Sequence, residues 1–190
     1  MSQFNSDEFV LLEINKLKVQ EYDTIHLPGG TAKDGSFYAG SIVPQYNSER
    51  KEFYFLGVPY NSHFSRESGH NKKYDELPEQ TAIRELLEET GLHTIPANLK
   101  LIWEKKIPDN RPGKLGEFHR KYFYLVTEFT GNIFTFEGPN PIDGETAAPI
   151  WIPASLFIKQ IFGGHLDAIY AVIDDLRMKD RESAYALMNF

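Results

Sequence analysis

Five carboxylates, Glu76, Glu79, Glu85, Glu88 and Glu89, fall within residues 76–89 of a 190-residue chain. Pro78 suits a first helical turn and Gly91 a position just past a helix end, so the spacing predicts a helix over about 78–90. Ala82, Ile83, Leu86 and Leu87 give it an apolar stripe. Glu85, Glu88 and Glu89 then stand at i, i+3 and i+4 and project from one face. Like charges at that spacing repel by roughly 0.2–0.5 kcal/mol a pair. Glu88 and Glu89 also occupy the last turn, where the helix dipole favours cations. A helix shaped only for stability would carry Lys or Arg there. A solvated face is the ordinary meaning of a charge run. Three carboxylates set against both rules point instead to a divalent cation between them, and all-oxygen donors suit Mg²⁺ or Mn²⁺.

The rest of the chain must hold that helix in place. Residues 8–26 contain two short apolar–polar alternations that read as strands. Leu27-Pro28-Gly29-Gly30 follows, with turn chemistry to about Gly35. Residues 41–45 and 52–58 read as paired strands, and a loop runs from there to Glu76. Strands are expected over 99–107, 118–129, 133–136 and 149–153, with a Pro/Gly loop at 108–115 and an acidic loop at 137–145. Residues 154–162 begin a helix that Gly163-Gly164 breaks, and 166–178 form a second amphipathic one. Strands flanking a helix, with helices after them, predict an α/β sandwich around a mixed β-sheet.

The acidic helix also carries a resemblance. Glu76, seven residues, then Arg84-Glu85-Leu86-Leu87-Glu88-Glu89-Thr90-Gly91-Leu92 resembles the Nudix hydrolase signature from its first Glu onward. Each charged type makes up about 6% of average composition, so six fixed positions recur by chance on the order of 10⁻⁷ per start. That rarity sets the solvated-face reading aside. The family's leading glycine stands five residues before this Glu, where the chain has His70; Gly69 lies one further back, a one-residue insertion in the loop. Residues 64–70 are similar to the family's strand end leading into a glycine turn. The resemblance covers roughly residues 39–176 and implies the Nudix fold, an α/β/α sandwich with a mixed sheet. It divides the chain into an N-terminal extension, 1–38, and a hydrolase domain, 39–190. Leu-Pro-Gly-Gly often precedes the family's signature, but no carboxylate-bearing helix follows residues 27–30 within reach, so the tetrapeptide reads as a turn.

The resemblance implies roles residue by residue. Glu85, Glu88 and Glu89 would bind Mg²⁺, or Mn²⁺ in its place, together with the Gly69 carbonyl. Arg84 would pair with Glu76 and hold the helix to the preceding loop, supporting the site rather than touching substrate. A further carboxylate is expected from a loop before a Trp-bearing strand. Glu145, six residues before Trp151, fits best, ahead of Asp143 and Glu137; Glu104, Asp109, Glu117 and Glu128 are the remaining candidates, and an ordinary acidic loop is the plain alternative. The implied activity is Mg²⁺-dependent hydrolysis of a phosphoanhydride in a nucleoside diphosphate linked to another group. An ADP-ribose-like compound, a dinucleoside polyphosphate and a nucleoside triphosphate all qualify. Glu85, Glu88 and Glu145 are the expected catalytic carboxylates, with Glu85 or Glu145 as the base. The alternative is a non-catalytic Nudix-fold module that binds a nucleotide or regulates. Members with N-terminal extensions sometimes dimerise, which makes a homodimer an expectation for residues 1–38.

Composition bounds the remaining classes. The length fits one domain with a small extension. With no cysteine there are no disulfides, thiolate metal sites or cysteine nucleophiles, and a reducing, cytoplasmic setting is expected. No apolar run approaches a membrane span. A net charge of −7 argues against broad duplex nucleic-acid binding. A nucleotide-type small molecule remains compatible, because a bridging divalent cation neutralises phosphate locally. The six histidines show no metal-ligand spacing, and His70 reads as a turn residue.

Overall fold

Aromatic and β-branched runs between Gly and Pro punctuation favour extended chain, and strands occupy most of the described residues between 24 and 60. The computed structural model describes residues 24–47, 49–50, 52–60, 77–109, 116–137, 140–142 and 146–179. Among these the strands are β1 (Thr24–His26), β2 (Gly29–Thr31), β3 (Phe37–Ile42), β4 (Pro44–Asn47), β5 (Glu52–Tyr60), β6 (Leu99–Pro108), β7 (Phe118–Val126) and β8 (Ile150–Pro153). The helices are α1 (Pro78–Thr90), α2 (Ala154–Gln160) and α3 (Leu166–Lys179). One sheet runs β2-β3-β7-β6 and is mixed, with β3 and β7 parallel and the other pairs antiparallel. In the other, β5 pairs antiparallel with β1, β4 and β8.

Alternation along the central strands separates two packed faces. Phe123 and Leu125 of β7 join Ile42, Ile169, Val172 and Ile173 in the main core beneath α3. Tyr124 turns the other way and meets Ala39 and Ala82, so α1 lies on the opposite face. Ser41 Oγ donates to the Ala82 carbonyl at 3.2 Å and fixes α1 over β3. Leu86 is fully buried with Leu56, Val126 and Trp151. Truncating it to Ala would cost about 2–5 kcal/mol. This is the Nudix fold, with helices on both faces of a mixed sheet.

Several expected elements differ. Gly29–Thr31 is a strand rather than part of a turn, antiparallel to β3. Ser41 and Gln45 belong to different strands: Ser41 pairs with β7 and Gln45 with β5. Residues 133–136 form no strand, because the Phe134 N–H goes to the Thr90 carbonyl at 2.9 Å, at the end of α1. β7 stops at Val126; beyond it the Thr127 N–H goes to the Asn98 carbonyl. The expected division after residue 38 runs inside β3, and β1 and β2 are hydrogen-bonded into the two sheets. Residues 1–23 lie outside the described residues.

Candidate active site

Local chemistry sets α1. Pro78 occupies the first turn, and Gln80 Oε1 accepts the Leu77 N–H at 2.9 Å, satisfying one of the donors a helix start leaves over. Gly91 ends the helix at φ 80°, and its N–H reaches the Leu87 carbonyl at 2.9 Å. A Cβ there would also come within 2.7 Å of the Asn132 carbonyl, so glycine is required twice over. The buried side of the helix is Thr81, Ala82, Leu86, Glu89 and Thr90, while Leu87 is exposed. Relative to the stripe expected from sequence, the packed face is rotated toward Glu89. That carboxylate therefore sits inside, 8% exposed, rather than on the outer surface.

What Glu89 meets there is the Gly29-Gly30 strand. Glu89 Oε2 accepts the Gly29 N–H at 2.7 Å. Glu85, one turn earlier, lies against the neighbouring glycine: a Cβ built on Gly30 would fall 2.4 Å from Glu85 Cδ and Oε1. Only a residue without a side chain admits the carboxylate. Tyr38 closes the far side, its hydroxyl within 2.9 Å of where a Gly29 Cβ would stand. Burial, then the charges of Glu89 and Glu85, raise the Tyr38 pKa well above the ordinary tyrosine value. The hydroxyl therefore stays protonated beside the carboxylates.

Arg84 holds the helix's outer carboxylates. Its Nη1 lies 2.7 Å from Glu85 Oε1 and 2.9 Å from Glu88 Oε2. Side-chain exposures of 19% for Arg84 and 15% for Glu85, against 39% for Glu88, make the first pair the better sheltered one. Glu76, its expected partner, lies outside the described residues, as do Gly69, Asp143 and Glu145. Asn140 and Thr146, on either side of residues 143–145, are described. Asn140, buried, donates from Nδ2 to the Glu88 carbonyl at 3.2 Å and from its backbone N–H to Thr146 O at 2.6 Å. Ala147 N–H reaches Pro59 O at 2.9 Å. Asn140 is thus tied to the carboxylate end of α1. Glu137 is exposed, Glu104 pairs with Arg120, and Asp109 faces His119 at 3.9 Å, so these last two are engaged on β6 and β7.

Among the described residues no three Asp, Glu, His or Cys side chains come together as a metal-binding group. Two carboxylates do converge: Glu85 and Glu89 meet consecutive glycines of one strand. Hard oxygen donors gathered against bare backbone fit Mg²⁺ or Mn²⁺, with Glu88 one turn away in the hold of Arg84. Reading residues 27–30 as a turn missed Gly29, Gly30 and Tyr38. The usable signal was the glycine pair itself, since paired glycines often mark a close approach of backbone to another group.

A NUDIX domain family model matches residues 68–169, more than half of the chain, and the chain belongs to that family. No curated protein matches. Among solved structures, the NUDIX domain of Shewanella oneidensis NrtR complexed with ADP ribose is 14% identical with a TM-score of 0.48, over 73% of this chain and 86% of that one. A MutT/nudix family protein from Enterococcus faecalis is 15% identical at 0.47, over 94% and 74%. A C. elegans Ap4A hydrolase is 14% identical at 0.45, over 74% and 96%.

Proposed function

We propose that the protein is a Mg²⁺-dependent Nudix hydrolase that cleaves the phosphoanhydride of a nucleoside diphosphate linked to another moiety. The observation that carries this reading is the convergence of Glu85 and Glu89 on the Gly29-Gly30 strand, within the helix that bears the family's signature. Glu85, Glu88 and Glu89 would hold the ion, with Glu145 as a further carboxylate; Asn140, five residues before it, bonds the Glu88 carbonyl. Mg²⁺, when bound, supplies Lewis acidity: it offsets charge on the leaving phosphate and acidifies water. Gly29 orients Glu89 by its N–H, and Arg84 orients Glu85 and Glu88. Carboxylates held in place need little rearrangement when substrate arrives. Water attacks phosphorus in line and gives its proton to a carboxylate, for which Glu85 and Glu145 are the two candidates. No covalent intermediate is required.

Phosphate release from a panel of nucleoside diphosphate derivatives and triphosphates, with Mg²⁺ or Mn²⁺ and with products resolved by chromatography, tests the reading. Turnover that EDTA abolishes is expected; none across the panel would leave the non-catalytic module. One feature favours that second reading: Arg84 already contacts two of the three carboxylates. A cytoplasmic location and a homodimer built through residues 1–38 belong to the same proposal. Among the described residues no helix is long and apolar enough to cross a membrane.

A further inference from the structure

A row of side chains crosses the mixed sheet on the face that packs against α3. Tyr38 of β3 stands in register with Lys121 of β7, and Lys121 with Lys105 of β6. Contacts with the start of α3 fix the side on which they project. The Tyr38 ring lies 5.6 Å from that of His165, and Lys105 Nζ lies 3.3 Å from Asp167 Oδ2. Lys121 Nζ sits over the Tyr38 ring, 5.2 Å from its centroid. Neighbouring strands lie roughly 5 Å apart, so the row runs about 10 Å across the sheet. One end is beside the carboxylates, because the Tyr38 hydroxyl reaches within 2.9 Å of where a Gly29 Cβ would stand.

Such a row is costly by itself. Lys121 and Lys105 are like charges directly opposite each other on an antiparallel pair, which destabilises. Asp167 offsets Lys105, but both side chains are more than half exposed and such pairs are weak. Lys121 is half-buried and has no ion-pair partner among the described residues. Burial lowers its pKa, so its charge is held against desolvation. His26 and His165, whose own pKa values Lys121 helps to lower, stay neutral and offer it no counter-charge. The protonated Tyr38 hydroxyl likewise makes no hydrogen bond among the described residues. A hydroxyl donor and two ammonium groups in line are suited to a chain of anionic oxygens.

We propose that Tyr38, Lys121 and Lys105 hold the phosphates of the substrate that lie beyond the anhydride being cleaved, and so select nucleotides with three or more consecutive phosphates over ADP-ribose-like ones. This rests on the hydrolase reading above and chooses among its substrates. Every further phosphate brings negative charge to ammonium groups that the fold leaves poorly matched. A neutral ribose in the same place would leave Lys121 without a counter-charge and strand both lysines in mutual repulsion.

The test reads binding before turnover. Inorganic pyrophosphate and tripolyphosphate, each with Mg²⁺, are titrated calorimetrically into wild-type protein, Lys121→Met and Lys121→Arg. Wild-type protein should favour the longer anion. Lys121→Met keeps an apolar stem but no charge, and its preference should fall by roughly tenfold or more, the scale of one hydrogen bond to a charged group. Lys121→Arg, which keeps the charge, should hold the preference. Without ligand, Lys121→Met should melt no lower than wild type, since a half-buried repulsion has been removed; a purely structural lysine would lower it. In turnover, Lys121→Met should lose kcat/KM on a nucleoside triphosphate or a dinucleoside polyphosphate, through KM more than kcat, and keep it on ADP-ribose. Equal affinity of wild-type protein for the two anions overturns the row, and so does a Lys121→Met variant with the wild-type preference. Equal losses on all nucleotides overturn the selection. Protein that shows the anion preference yet turns over no nucleotide sinks the hydrolase reading while upholding the row.

Discussion

His165 Nδ1 accepts the backbone N–H of Leu27 at 3.2 Å, joining residues 138 positions apart. The bond requires a neutral imidazole carrying its proton on Nε2. Burial, then the neighbouring His26 and Lys121, hold the His165 pKa well below the usual histidine value. Leu27 immediately precedes Pro28-Gly29-Gly30, so the turn that opens α3 anchors the strand on which Glu85 and Glu89 converge. Phe162 N–H, bonded to Ile25 O at 2.7 Å, adds a second tie at the same place.

A pH dependence of stability follows from the histidines. His26 is held down to about 4, by burial first and Lys121 second. In the unfolded chain both imidazoles take up protons near their ordinary 6.5, whereas the folded protein resists. The unfolded state thus binds more protons between about 6.5 and 4, and stability, full above that window, falls as pH drops through it. Melting temperature should decline over that range. His165→Phe should flatten the decline and lower the plateau, since the buried Leu27 N–H loses its acceptor at a cost of about 1–3 kcal/mol. An unchanged pH profile in that variant would remove His165 from the account.

The contrast between α1 and β2 shows what the sequence could disclose. The helix was legible to the residue because its determinants are local: Pro78 opens it, Gly91 closes it, and one turn predicts the next. The position of Gly29-Gly30 against Glu85 and Glu89 was not, because it arises from packing between segments far apart in sequence, which leaves no periodic trace. The same cause misled the reading of 133–136, whose apolar run matches a strand while Phe134 in fact bonds the end of α1. The carboxylates were legible as a set through their spacing. That Glu89 faces inward required the burial pattern of the whole helix.

Glu89→Gln should separate charge from geometry. The amide oxygen can still accept the Gly29 N–H, so the strand contact and the fold should persist. Negative charge at the site is lost, and turnover should drop at least about a hundredfold, equivalent to roughly 2.7 kcal/mol of transition-state stabilisation. Glu88→Gln should behave alike in turnover. Wild-type kinetics in either variant at saturating Mg²⁺ would count decisively against the metal assignment.

Arg84→Gln distinguishes the catalytic from the non-catalytic reading. With the guanidinium gone, Glu85 and Glu88 repel at i, i+3, and the ion-free protein should melt lower. If Arg84 supports the site, the variant still binds Mn²⁺ but turns over more slowly, with kcat affected more than KM. If Arg84 instead replaces an ion, wild-type protein binds no Mn²⁺ and the variant acquires binding. Titration of both proteins side by side decides between these outcomes.

Divalent ions should stabilise the folded protein, because the unfolded chain does not bring Glu85 and Glu89 to one strand. An ion at a hundred times its Kd adds about 2.7 kcal/mol to a protein that binds it only when native. For a chain of this length each kcal/mol moves the melting temperature by roughly 2–4 °C. Mg²⁺ should therefore raise the melting temperature by about 5–11 °C, and EDTA should reverse the rise. The sign is informative as well as the size. Screening of the net charge of −7 by salt would stabilise too, but equally with Na⁺ at matched ionic strength. A Mg²⁺ shift that exceeds the Na⁺ shift, and that disappears when Glu85 and Glu89 are both changed to Gln, locates the ion between those two carboxylates. A shift that survives the double substitution would place it elsewhere.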